Sequence, residues 1–213
     1  MSGAILGTRP RYAGVGSRQT PEAVCRYLYR LAHHLRVEGW VVRTGGASGA
    51  DWAFMDGAGM FARGARDLPA EQAPAEVYLP QLGWRGISAR PGVFPAPPPG
   101  AYTIAGSHHP EWARLGALVR DLHERNVCQI LGPDPEGAPS PAHLLICWTP
   151  DGAACARETS VRTGGTGMAI RLADAYDVPV FNFGRGARTY HALSEWMRRR
   201  GAPGELPPHP YSQ

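Results

Sequence analysis

The sequence changes character over residues 40–51, which read WVVRTGGASGAD. The first five residues are rich in β-branched and aromatic side chains, and such a run predicts a short strand. Glycines at positions 45, 46 and 49 then break the strand, and the alanine-rich residues 50–65 predict a helix. A strand, a glycine loop and a helix in this order are typical of one unit of a parallel α/β sheet.

The segments before and after this stretch have the same pattern. Residues 11–18, RYAGVGSR, predict a short strand that ends in a glycine turn. A helix is predicted to follow and to end at Gly39, with one apolar stripe formed by Val24, Tyr27, Leu28, Leu31, Ala32 and Leu35. Residues 76–79 predict a further strand. This alternation predicts parallel strands joined by right-handed crossovers.

The second half of the chain continues the alternation. Residues 143–148, HLLICW, are almost continuously apolar and predict a strand that is buried on both faces. Residues 164–167, GGTG, precede a helix that is predicted to reach Tyr176, and residues 178–183 predict the next strand. The expected fold class is therefore α/β, a Rossmann-like three-layer sandwich with a mostly parallel central sheet, formed by residues 1–213 as a single domain.

Proline-rich segments interrupt the alternation in three places. The longest spans about residues 81–106, and its five prolines predict an irregular surface excursion beside the site. A helix is predicted after Pro110 and is expected to end near Arg125 and Asn126, before a second proline-rich loop at residues 132–141. The third segment is the tail from Gly201, which is expected to lie on the surface.

Composition and charge restrict the partners of the protein. The 213 residues have a net charge of +4, and the pI is about 9.1. Mild basicity favours anionic ligands, either nucleotide, nucleic acid or phosphosugar, although a simple preference for arginine on the surface is the alternative. No apolar run approaches the roughly 20 residues of a membrane helix, so no membrane partner is expected.

The cysteines and histidines predict no metal site. The four cysteines lack any CxxC pair, and the adjacent histidines at 33–34 and at 108–109 would project in different directions. Free thiols suit a reducing compartment, and the N-terminus lacks the pattern of a signal peptide. A cytoplasmic location is therefore expected, in a bacterium or a phage-infected cell.

Both glycine loops have the properties that phosphate binding needs. Glycine lets backbone amides approach an anion closely, and the N-terminus of the following helix adds partial positive charge. Neither loop is a GxGxxG or P-loop motif, and tight turns without a ligand are the alternative explanation. Two such loops in one α/β chain nevertheless favour ligand binding.

Three motifs carry a resemblance to a known family. Residues 12–18, YAGVGSR, residues 44–51, TGGASGAD, and residues 163–167, TGGTG, together resemble the SLOG superfamily over about residues 10–185. That superfamily includes the DprA (Smf) DNA-processing proteins, the LOG-type nucleoside monophosphate phosphoribohydrolases and ligand-sensing SLOG domains of bacterial immune systems. The resemblance is strongest to small, stand-alone phage and bacterial members.

The resemblance implies a ligand site at the carboxyl ends of the strands. Its expected residues come from the three motifs: Gly16, Ser17, Arg18, Thr44, Gly45, Gly46, Ala47, Ser48, Gly49, Asp51, Thr163, Gly164, Gly165, Thr166 and Gly167. The guanidinium of Arg18 would suit a phosphate. Asp51 would receive a ribose hydroxyl or brace its loop, with a helix-dipole or capping role as the alternative.

Trp148 is a further candidate for ligand contact. It ends the most apolar strand, at the edge where doubly wound folds bind ligands, and burial in the core is the alternative. Trp84 and Tyr102 could also stack on a base. Arg125 and Asn126 could reach the site from above, although a role in ending their helix is the simpler explanation.

The LOG-type hydrolase motif is altered in this chain. The resemblance implies PGGxGTxxE, but Thr163 replaces the proline, Met168 the threonine and Arg171 the glutamate that assists cleavage of the N-glycosidic bond. An arginine cannot act as a carboxylate base. Asp151 and Glu158, in the preceding loop, are weak catalytic candidates, and ordinary solvated loop acids are the alternative.

Three functions stay open on the sequence. The first is binding of a nucleotide of unknown identity, with no cofactor required. The second is DprA-like binding of single-stranded DNA, and the third is LOG-like N-glycosidase activity on nucleoside monophosphates. A homo-oligomer is expected, because many relatives of this type assemble.

Overall fold

The computed structural model describes residues 9–201 and 205–209, and six parallel strands run through the middle of it. The strands are β1 (Arg11–Gly16), β2 (Val41–Thr44), β3 (Ala75–Tyr78), β4 (Val93–Phe94), β5 (Leu145–Trp148) and β6 (Val180–Asn182). The helices are α1 (Glu22–Val37), α2 (Ala50–Gly57), α3 (Pro99–His108), α4 (Ala117–Leu131), α5 (Thr166–Ala175) and α6 (Ala187–Arg199).

The order of the strands in the sheet is β4-β3-β2-β1-β5-β6. Every pairing is parallel, and the register places Ala13 beside Arg43 on one side of β1 and Gly16 beside Trp148 on the other. The chain therefore begins at the centre, winds outward to β4, and returns to build the other half from β5. The winding direction changes between β1 and β5, which is where doubly wound folds bind ligands.

Helices cover both faces of the sheet, as expected for a three-layer sandwich. Successive strand residues point to opposite faces, so that Tyr12 packs in one core and Ala13 in the other. The first core joins the sheet to α1, α2 and α6, and the second joins it to α3, α4 and α5. The Rossmann-like α/β class is thus confirmed, and the six buried residues predicted for α1 are all in the first core.

The helix predicted over residues 50–65 was wrong beyond residue 57. Helix α2 ends at Gly57, and turns follow in which Gly59 and Gly64 both have φ near +83°. A Cβ at Gly57 would lie 2.2 Å from the carbonyl oxygen of Tyr29, so α2 packs against α1 with its backbone in close contact. The glycines explain why the alanine-rich pattern does not continue as a helix.

The prediction of an irregular excursion at residues 81–106 was also wrong in part. Val93 and Phe94 form the edge strand β4, beside Val77 and Tyr78 of β3, and Pro99 occupies the first position of α3. Edge strands and first helical turns are the places that accept nearby prolines. A prediction from proline content alone therefore missed two regular elements, β4 and α3.

The helix predicted after Pro110 lies later in the chain. A single 3-10 turn covers Trp112–Arg114, and α4 runs from Ala117 to Leu131. Arg125 and Asn126 consequently lie inside the helix, and the prediction that they end it was wrong. Within the described ranges, no helix is both long and apolar enough to cross a membrane. The proline-rich tail lies partly outside the described residues.

Candidate functional site

A cleft of about 1260 Å³ opens at the carboxyl ends of the central strands. Its walls come from the loops after β1, β2 and β5, from the first turn of α5 and from one face of α4. The position coincides with the change of winding direction between β1 and β5. Parallel strands all end at this edge, so loops that are far apart in sequence meet here.

The loops after β1 and β2 form one wall of the cleft. Gly16, Ser17 and Arg18 line it from the first loop, and Ala47 and Ser48 from the second. The two loops are in close contact, because a Cβ at position 49 would lie 2.6 Å from the carbonyl oxygen at position 17. The remaining predicted residues of the second loop, Thr44, Gly45, Gly46 and Gly49, lie behind this wall.

Asp51 connects these two loops from below. Its Oδ1 accepts a hydrogen bond from the amide of Gly16 at 3.1 Å, and its Oδ2 accepts one from the amide of Ala47 at 3.4 Å. Burial raises the pKa of this carboxyl, and the charge of Arg125 and the backbone amides offset part of the effect. These contacts are those of a brace for the loops, which is one of the roles expected for Asp51.

Arg125 is the partner of Asp51. The guanidinium Nη2 lies 3.5 Å from Oδ2 of Asp51, and Nη1 donates a hydrogen bond to the carbonyl oxygen of Gly45. Both side chains are almost completely buried. A Cβ at Gly45 would collide with the guanidinium, so a glycine is required for this close approach.

The second glycine loop forms the opposite end of the site. Thr163, Gly164, Gly165 and Thr166 line the cleft, and α5 begins at Thr166. Apart from the adjoining backbone, no atom lies within 4 Å of the position that a Cβ would take on Gly164 or Gly165, so this backbone faces open space. Gly167 lies inside the helix and outside the wall. An exposed backbone at a helix N-terminus suits an anion.

The two weak catalytic candidates are both occupied by other contacts. Asp151 accepts hydrogen bonds from the hydroxyls of Thr149, Ser160 and Thr163 at 2.5–2.8 Å. Burial acts to raise its pKa, but these hydroxyls outweigh burial and bring the pKa below the usual value. Glu158 pairs with Arg185 and accepts from the amide of Ala154. Neither carboxylate lines the cleft.

Helix α4 contributes a wall that sequence reasoning largely missed. Its cleft-lining residues are Leu118, Val119, Leu122, His123, Arg125 and Asn126. The side-chain amide of Asn126 donates a hydrogen bond to the carbonyl oxygen of Gly165 at 3.1 Å and so joins the helix to the second glycine loop. One feature of the sequence could have indicated this wall. The second half of the helix, which is otherwise apolar, contains polar residues that include His123 and Gln129.

The cleft carries net positive charge. Arg18, Arg85 and Arg162 line it, are exposed, and have no ion-pair partner in the described part of the chain. Asp51 is the one acidic residue among the described lining residues, and it is paired with Arg125. An anionic ligand is therefore favoured.

Residues from the proline-rich segment reach the cleft, whereas Trp148 does not. Trp84 and Arg85 line the cleft, and Arg85 has a φ of +52°, which is uncommon for a residue with a side chain. Trp148 is half-buried and packs against the first core. The structure therefore favours the core alternative for Trp148 and places Trp84 at the site.

Arg171, at the position where the LOG-type hydrolase motif has a glutamate, lies outside the wall but near two histidines. The rings of His109 and His123 are 4.6 Å apart, and both residues line the cleft. Burial, His109 and the charges of Arg171 and Arg125 lower the pKa of His123 to about 4. Among the residues described, no group of three or more histidine, cysteine, aspartate or glutamate side chains could hold a metal ion.

Comparison with known proteins identifies no family and no function for this chain. No family model matches the chain, and no curated protein matches it. One solved structure with similarity is DNA processing protein A from Helicobacter pylori, a single-stranded DNA-binding protein, with 14% identity and a TM-score of 0.45. The match covers 82% of this chain and 65% of that one, so this chain spans less than two thirds of its length. The fold assignment rests on the sheet topology.

Proposed function

We propose that this chain is a nucleotide-binding protein of the SLOG superfamily, which holds a nucleotide or nucleotide derivative in the cleft between β1 and β5. The observation that carries the proposal is the meeting of both glycine loops in one positively charged cleft. Tight turns without a ligand would not need to converge on the same open space.

The second glycine loop is the proposed phosphate site. The backbone at Gly164 and Gly165 is open to the cleft, and the N-terminus of α5 directs partial positive charge towards it. Arg162 lines the cleft within the same loop, and Arg18 lines it from the loop after β1. A phosphate here would gain charge-assisted hydrogen bonds from both the backbone and the guanidinium groups.

Binding has more support than N-glycosidase activity. A glycosidase of the LOG type needs a carboxylate at the reacting sugar, and position 171 supplies an arginine. Asp151 and Glu158 are held by other partners, and Asp51 is engaged by Arg125 and two amides. No carboxylate in the described wall is thus left without a structural partner.

Single-stranded nucleic acid is the second candidate ligand. The cleft volume of about 1260 Å³ exceeds the roughly 300–1,000 Å³ of most small-molecule sites. This size leaves room for more than one nucleotide, and unpaired arginines suit a phosphodiester backbone. The two candidates differ in the minimum length of ligand that the cleft retains.

A titration with ligands of increasing length separates these functions. Isothermal titration calorimetry would use the four nucleoside monophosphates, ADP-ribose, cyclic AMP and deoxythymidine oligomers, with chromatography of every mixture to detect a released base. The test variant is Gly165→Leu, because Gly165 has helical φ and ψ and its added side chain would fill the cleft. The matched control is Gly116→Leu, whose site also has open space and lies outside the wall.

Each outcome has a direct meaning. Binding of a mononucleotide that is lost in Gly165→Leu and kept in Gly116→Leu would support the proposal. Binding of oligomers alone would replace it with single-stranded nucleic acid binding. Release of a free base would favour the N-glycosidase, and no binding by any of these ligands would reject the nucleotide site.

A further inference from the structure

The outer half of α4 exposes an unusual amount of apolar surface inside the cleft. Leu118 and Val119 are 47% and 41% exposed, and both line the wall together with Leu122. Val161, which is 98% exposed, also lines the cleft. Large apolar side chains exposed within a concave site are typical of a surface that an apolar group covers on binding.

Part of this apolar surface forms a stripe along α4. Leu118, Leu122 and Asn126 are spaced by four residues, which places them on the same face. The helical rise of 1.5 Å per residue separates the two ends of this stripe by about 12 Å. Because Asn126 is hydrogen-bonded to Gly165, the inner end of the stripe lies at the second glycine loop and the outer end lies away from it.

His123 adds one polar group to this otherwise apolar wall. Its side chain is more than nine-tenths buried, and Nδ1 is sealed by protein atoms with no hydrogen-bond partner. Nε2 is therefore the ring nitrogen that can reach a ligand in the cleft. The pKa of His123, lowered to about 4, leaves the ring uncharged at neutral pH. It thus offers a hydrogen bond without a charge.

We propose that the outer half of α4 is a base-binding subsite. In it, Nε2 of His123 forms a hydrogen bond with the edge of a neutral nucleobase, and the face of the base packs on Leu118, Val119 and Leu122. This inference rests on the proposed nucleotide-binding function. It divides the cleft into an inner end for phosphate, at the second glycine loop, and an outer, largely apolar end for the base. An uncharged ring system with polar edges matches the outer end better than a second phosphate does.

The test compares a ligand that has a base with one that lacks it. The probes are the four nucleoside monophosphates and ribose 5-phosphate, titrated into the whole protein by calorimetry. His123→Leu removes Nε2, and His123→Gln keeps a neutral hydrogen-bonding group. Arg162→Ser alters the inner end, and its matched control is Arg157→Ser, an exposed arginine outside the wall.

We expect His123→Leu to weaken the best-bound monophosphate by about three- to tenfold, the usual effect of one neutral hydrogen bond. Ribose 5-phosphate should bind this variant as it binds the wild type, and His123→Gln should restore part of the loss. Arg162→Ser should weaken both probes, and Arg157→Ser neither. An equal loss for both probes in His123→Leu, or no loss for either, would overturn the inference.

A second pair of variants avoids any effect of the buried histidine on folding. Leu118→Ser changes the exposed wall, and Leu82→Ser changes an exposed leucine that does not line the cleft. The first should weaken the monophosphate and spare ribose 5-phosphate, and the second should change neither. If wild-type protein binds monophosphates but Leu118→Ser does not alter this binding, the subsite is wrong while the proposed function stands. If wild-type protein binds none of the monophosphates, ADP-ribose or cyclic AMP, both the subsite and the proposed function fail.

Discussion

Nη2 of Arg125 lies 3.5 Å from Oδ2 of Asp51, and this ion pair connects helices from opposite faces of the sheet. Asp51 belongs to α2, which packs in the core with α1, whereas Arg125 belongs to α4, which packs in the other core. The pair therefore crosses the carboxyl edge of the sheet beneath the loops after β1 and β2. It fixes the two helices and both loops relative to one another.

Removal of one member of this pair should be strongly destabilising. In Asp51→Ala the guanidinium stays buried without a counter-charge, and we expect a loss of about 3–5 kcal/mol in the free energy of unfolding. Urea unfolding followed by circular dichroism measures it. The double variant Asp51→Ala with Arg125→Met should recover part of the loss, because no charge is then left buried.

The control for this experiment is the exposed cluster on α6. Glu195 contacts Arg198 and Arg199 at the surface, and Glu195→Ala should leave the urea midpoint almost unchanged. A loss in Asp51→Ala no larger than in Glu195→Ala would show that the buried pair contributes little to stability.

Gly49 should tolerate alanine less well than Gly39. Both have φ above +80°, which strains alanine at either position by about 1–3 kcal/mol. Only at Gly49 does the new Cβ also collide with backbone, 2.6 Å from the carbonyl oxygen of Ser17, whereas Gly39 has open space. We expect a further loss of about 1–3 kcal/mol for Gly49→Ala in urea unfolding. Equal losses at the two sites would contradict the close contact of the loops.

Replacement of Asp151 should lower stability, because its carboxylate accepts hydrogen bonds from three hydroxyls. In Asp151→Asn an NH₂ group replaces one oxygen and faces hydroxyl donors, so we expect a loss of about 1–3 kcal/mol on thermal or urea unfolding. Asp177→Asn is a suitable control, because Asp177 is exposed and has a φ of +54°, which asparagine accepts. If Asp151→Asn were as stable as Asp177→Asn, the hydrogen bonds to Asp151 would not be what holds the loop in its conformation.

Stability should fall on mild acidification because of His123. Its pKa is about 4 in the folded protein, against 6.5 ordinarily, because burial and then His109, Arg171 and Arg125 disfavour its charged form. The contribution of neutral His123 to the free energy of unfolding is therefore complete above pH 6.5. It is lost progressively as the pH falls towards 4. Scanning calorimetry between pH 7.5 and 4 should show a shallower decline of Tm in His123→Gln than in the wild type. Parallel curves would argue against a buried neutral histidine.

Local sequence patterns predicted much of the sheet and the positions of the glycine loops that line the cleft. An apolar run that stops at a glycine is a local signal, and it located the loops at residues 16–18, 45–49 and 164–167. It did not show which loop residues face the cleft, because that depends on how the loops pack. Gly45 and Gly46, for example, lie behind the wall, and Gly45 makes room for a side chain from α4.

The α4 wall could not be predicted in this way. Arg125 is an ordinary residue in sequence, and its burial becomes favourable only because Asp51 is brought next to it by the fold. Similarly, the edge strand at Val93 and Phe94 exists through pairing with β3, which overrides the low strand tendency of its proline-rich surroundings. Both features arise from tertiary contacts between distant segments.

The two outermost strands of the sheet are short, with two residues in β4 and three in β6. A short edge offers few free backbone donors and acceptors, so it is a poor template for another chain to extend the sheet. The homo-oligomer predicted from the sequence would therefore have to assemble through side-chain surfaces on the helical layers. In the described part of the chain, the sheet thus ends in short strands at both sides, and this disfavours edge-to-edge aggregation.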